Sequence, residues 1–70
     1  MIPGAPSWQL AVVRVMFVLE WQDQHYRWHR YGVFNGRCTA YRTAEHRTRT
    51  TGKKHRLVDG DGQLLDLFHP

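Results

Sequence analysis

Apolar and polar residues alternate through the stretch from Val12 to Trp21. Val13, Val15, Phe17, Leu19 and Trp21 form one unbroken apolar face, and Val12, Arg14, Met16, Val18 and Glu20 a mixed one. A two-residue period rich in β-branched side chains predicts a strand with one face buried and the other partly covered. Gln22-Asp23-Gln24 is a polar turn, and His25–Phe34 is a second strand. Its period slips near Arg30. Trp28 falls on one phase, Tyr31 and Val33 on the other, with Gly32 at the slip. A β-bulge or sharp bend there restores the phase. Asn35-Gly36 predicts a tight hairpin turn, in which both positions take positive φ. Arg37–Thr50, with Thr39, Thr43, Thr48, Thr50 and Tyr41, reads as further strand, broken near Ala44-Glu45. Turns at Thr51–Lys54 and Asp59–Gly62 then bracket a short strand over His55–Val58, and Gln63–Phe68 is the last strand.

The N-terminal residues 1–7, with two prolines and a glycine in the first six, read as a flexible arm, and 8–70 as a single small β domain. Ser7 is placed to cap a short helix over Trp8–Ala11. Four or five short strands joined by glycine-containing turns predict an all-β fold, a small, strongly bent antiparallel sheet or barrel. A helix over Gln22–Tyr31 is disfavoured because its apolar residues make no wide stripe. Seventy residues sit near the lower limit for a single hydrophobic core, which favours a binding or assembly role over catalysis. The apolar run Leu10–Leu19 is interrupted by Arg14 and is half the length of a bilayer span of about 20 residues. No targeting segment is read, and a cytoplasmic location without membrane contact is expected.

Charge sharpens this picture. Up to Tyr26 the chain has one arginine against Glu20 and Asp23. From Arg27 to Arg56 nine basic residues face only Glu45. After that come Asp59, Asp61 and Asp66. Eight of the ten cations are arginine, which suits bidentate phosphate contact and stacking better than lysine. Aromatic residues interleave with the cations in Tyr26-Arg27-Trp28-His29-Arg30-Tyr31 and again in Tyr41-Arg42. Rings that stack on bases beside guanidinium groups that hold phosphates are what single-stranded nucleic acid requires.

Other chemistry falls away. On a strand His25 and His29 lie roughly 13 Å apart, too far for one metal ion. Cys38 is single, so there is no disulfide framework within the chain, and it has no activating neighbours; it reads as a small buried apolar side chain. A calcium loop aligned on Asp61-Gly62 would need ligands at Leu57 and Phe68, which cannot supply a carboxylate. The expectation is a protein with no cofactor, no metal and no enzymatic activity.

Val33-Phe34-Asn35-Gly36-Arg37-Cys38-Thr39-Ala40-Tyr41 resembles the apolar, Asn-Gly, alternating hairpin that opens the first Sm motif of the Sm-like family. Lys54-His55, entering a late apolar run, is similar to a Lys-His pair that contributes to RNA contact in that family. The resemblance implies a short N-terminal helix, a strongly bent five-stranded barrel, ring assembly and RNA binding. The expectation is therefore an Sm-like or SH3-like barrel, forming a homo-oligomer. It binds nucleic acid, RNA before DNA, through Arg27, Arg30, Tyr31, Arg37, Arg42, Arg47, Arg49, Lys53, Lys54 and His55. The alternative is a protein-interaction or self-assembling module whose basic face meets an acidic partner.

Overall fold

A computed structural model describes residues 16–70. The expected arm, the short helix over Trp8–Ala11 and the first strand up to residue 15 lie outside the described residues. Four strands and one helix follow in the order β1 (Phe17–Gln22), β2 (Trp28–Phe34), α1 (Arg37–Thr51), β3 (His55–Asp59) and β4 (Leu64–Phe68). The sheet is open, with spatial order β2-β1-β3-β4 and every neighbouring pair antiparallel. The β-rich, antiparallel, four-stranded expectation matches this sheet; an all-β chain does not.

The corrections lie at 35–51, where Cys38, expected to be buried, is exposed, and where a helix replaces the expected hairpin and strand. Gly36 has φ −104°, an extended conformation rather than a left-handed hairpin position, and it ends a strand and opens a helix. Topology accounts for the helix. β2 and β3 flank β1 and run parallel to each other, so their connection must cross over β1, and such a crossover is usually helical. The residues also fit a helix. There is no glycine or proline from Arg37 to Thr51, and Ala40, Ala44 and Thr48 repeat every four residues on the buried side. Threonine hydroxyls are satisfied within it: Thr48 Oγ1 donates to the Ala44 carbonyl at 2.7 Å and Thr51 Oγ1 to the Arg47 carbonyl at 2.6 Å. Gly52, at φ 69°, ends the helix by returning its N–H to the Thr48 carbonyl.

Phe17, Leu19 and Leu57 of the sheet meet Ala40 and Ala44 of the helix, with Phe34, Tyr41, Leu65 and Phe68 around them. Leu19 and Leu57 are directly paired and fully buried, each worth about 1.5–3 kcal/mol. The two alanines put no bulk between helix and sheet. The phase slip in β2 is a bulge: pairing steps from Leu19–Gly32 to Glu20–Arg30, and Tyr31 is the extra residue.

The β3–β4 connection is a five-residue turn. The Gly62 N–H donates to the Asp59 carbonyl and the Asp59 N–H to the Gln63 carbonyl. Asp59 Oδ1 accepts from the amides of Asp61 and Gln63, both at 2.9 Å. Gly62 takes φ 83°, where a side chain would be strained.

Candidate nucleic-acid interface

The end of β1, the start of β2, the end of α1 and the start of β3 meet at one end of the sheet. The Gln22 N–H donates to the Lys54 carbonyl at 2.9 Å and fixes the α1–β3 turn against β1. Between that turn and the β1–β2 turn is an open cleft of about 500 Å3, lined among others by Trp21, Asp23, His25, Lys53 and Lys54. Trp21 is the last residue of the apolar face of β1. His29 stacks on its ring at 4.5 Å, and Lys53 Nζ lies 4.6 Å from the ring centroid. Both lysines follow the C-terminal end of α1, where the helix dipole favours cations.

Asp23 organises the β1–β2 turn. Its Oδ1 accepts from the amides of His25 and Arg27, and its Oδ2 accepts from His29 Nε2 at 2.6 Å. The His29 bond, aided by the backbone donors, holds the Asp23 carboxyl well below the usual carboxylate range. The turn ends on Tyr26, which has φ 64° and is 82% exposed.

The expected contact residues are dispersed, and only some converge. Arg27 is exposed beside the Asp23 turn; Arg49, in the last turn of α1, joins Lys53 and Lys54 at the same end. Arg42 and Arg49 lie seven residues apart, within about 20° of each other on the outward side of α1. Arg47 is turned toward the sheet, its guanidinium 3.9 Å above the half-exposed Tyr31 ring and its Nε buried without a partner. Arg37 sits at the far end of the helix, 5.6 Å from the Tyr41 ring. Arg30 is exposed on the face of the sheet away from α1.

His55 is a correction. It is fully buried, paired with Trp21 and Phe68, and cannot touch a ligand at the surface. Its Nδ1 donates to the Lys53 carbonyl at 2.8 Å, which leaves Nε2 buried without a partner. Burial, reinforced by the nearby Arg47 and Lys53 charges, pushes its pKa down and keeps the ring neutral.

The interleaved rings also differ from the expectation. Trp21, Trp28, Tyr31 and Tyr41 each have a cation over them, from Lys53, Arg56, Arg47 and Arg37. These rings mostly orient the protein's own cations. Sequence reading put Trp21 on the apolar face of the first strand and Tyr26 and His29 in the interleaved stretch, and named none of the three as a contact residue. The available signal was Asp23 itself, an aspartate opening a short polar stretch between two strands. Among the described residues Arg56 is the only Lys or Arg with a carboxylate partner, Glu20 Oε1 at 2.6 Å. No three His, Cys, Asp or Glu side chains gather as metal ligands among the described residues, and none of their helices is long and apolar enough to cross a membrane. No family model, curated protein or solved structure matches the chain.

Proposed function

We propose that this protein is a cytoplasmic nucleic-acid-binding domain, taking single-stranded RNA before DNA at the basic end of the sheet. The observation that carries the reading is the cleft between the two turns. Lys53 and Lys54 line it, Arg27 closes the turn that forms its other wall, and Arg49 lies at the same end of α1 beside Phe68; the carboxylate in the cleft, Asp23, is already occupied by His29 and two amides. Arg42 extends the positive surface along α1. The proposal does not rest on the Sm-like resemblance, whose nine residues run from the end of β2 into the first turns of α1.

Phosphate contacts release counterions, so affinity should fall steeply with salt. Four engaged cations give a log–log slope of about −3, at roughly 0.7 per contact on a single strand. Titration of a labelled mixed-sequence RNA at several salt concentrations tests this. Undetectable binding at low salt, or binding indifferent to salt, overturns it.

A second reading, self-assembly through the other face of the sheet, is favoured by one row of residues. Val33, Val18, Val58 and Leu64 are successive cross-strand partners on the face away from α1, with Val33 and Leu64 exposed at its ends. The adjacent row reads Arg30, Glu20, Arg56, Leu67. A second copy related by a two-fold axis parallel to the strands would set the exposed Val33 against the partner's Leu64 and Glu20 against the partner's Arg56, while Val18 and Val58 between them are already buried within the chain. Sizing with light scattering should give a dimer mass that Leu64→Asp reduces to a monomer. A monomer from the unaltered chain at tens of micromolar overturns it.

A further inference from the structure

We propose that Tyr26, exposed on a left-handed backbone directly after the cleft-lining His25, is a base-stacking contact; this rests on the nucleic-acid reading above. The two hairpin turns make the argument. In each, an aspartate carboxylate accepts two amides, the fourth residue donates its N–H to the aspartate carbonyl, and the aspartate N–H returns to the carbonyl of the fifth. The fourth residue is left-handed in both. In the β3–β4 turn it is Gly62, at φ 83°, the residue this position favours. In the β1–β2 turn it is Tyr26, at φ 64°. A tyrosine is strained there, and its ring does not offset the strain by packing, since it is 82% exposed.

No described cation lies over the Tyr26 ring, in contrast to Trp21, Trp28, Tyr31 and Tyr41. Its face is free for a ligand. The preceding residues of the same turn line the cleft, and Lys53 and Lys54 line the facing wall. A flat apolar face beside separated cations matches a nucleotide, with the base on the ring and the phosphates on the lysines. Strain kept at a side chain that contributes nothing to the fold is the mark of a contact residue.

The experiment uses the full chain with Tyr26→Gly and Tyr26→Phe, and a labelled single-stranded oligonucleotide in two forms, with bases and with abasic sites. Tyr26→Gly should raise the melting midpoint by several degrees, because strain is released. It should weaken binding of the base-containing strand by about tenfold, the lower range for one lost stack. Its salt slope should stay unchanged, and its affinity for the abasic strand should equal that of the unaltered chain. Tyr26→Phe should bind as the unaltered chain does. If Tyr26→Gly binds the base-containing strand normally while Lys53→Ala/Lys54→Ala weakens it, this proposal falls and the nucleic-acid reading stands. If the unaltered chain binds neither strand, both fall, and a protein ligand for Tyr26 takes their place.

Discussion

The Asp23–Arg27 turn and the Asp59–Gln63 turn lie at opposite ends of the sheet and share one hydrogen-bond scheme, yet their surfaces are opposites. The first presents His25, Tyr26 and Arg27 beside two lysines; the second presents Gly60, Asp61 and Gly62. An aspartate at the first position is sufficient to set the backbone of each, through two amides on one carboxylate oxygen. Of the remaining positions only the fourth carries a backbone demand, a left-handed conformation that favours glycine. Conformation and chemistry are separable here, so a residue that violates the conformational preference, as Tyr26 does, carries information.

The largest effect should come from the aspartates. Asp59→Ala removes the acceptor for two amides and should cost about 1–2 kcal/mol in urea denaturation. Asp23→Ala should cost more, because the His29 bond and with it the stack on Trp21 go too. Equal losses would show that His29 contributes nothing to the turn. Next is Gly62→Tyr, which puts at one end the strain present at the other. It should destabilise by about 1–2 kcal/mol with no gain in RNA affinity. At the basic end, Lys53→Ala/Lys54→Ala should lower affinity about tenfold, or about 1.4 kcal/mol, and flatten the salt slope by more than one unit. Asp61→Asn, at the acidic end, should change affinity less than twofold.

A smaller effect concerns pH. Asp23 is held low in the folded chain, so its contribution is complete above the ordinary carboxylate range and is lost as pH falls through and below it. His55 works in the same direction at higher pH. Its folded pKa is lowered, so below about 6.5 the unfolded chain takes up a proton that the folded chain refuses, and stability falls. Chemical denaturation from pH 7 to 5 should show this loss in the unaltered chain and less of it in His55→Gln.

The strands were legible because their patterns were strong. The apolar face ending Phe17-x-Leu19-x-Trp21 leads directly to β1, and the phase slip read near Arg30 and Gly32 leads to the bulge in β2, whose extra residue is Tyr31. The helix was hidden by its own packing. Its buried stripe is Ala40, Ala44 and Thr48, too small to stand out as hydrophobic, and its threonines mimic a strand. The absence of glycine and proline over fifteen residues was the signal that remained. For the site, the run of positive charge was plain from sequence. Which cations converge was not, since that depends on the crossover that brings Lys53 and Lys54 beside Gln22. The burial of His55 also follows from the register of β3 against β1, which no local pattern reveals.

The position of β1 between β2 and β3 sets an order of events as the chain is made. β1 and β2 are neighbours in sequence and can close early, whereas Glu20 and Arg56 are 36 residues apart. Until β3 leaves the ribosome, one edge of β1 has no hydrogen-bond partner, and Leu19 lacks the leucine that pairs with it. A nascent chain halted near Thr51 is a half-sheet with an adhesive edge, open to any extended segment nearby. Addition of β3 covers that edge and sets Leu57 opposite Leu19.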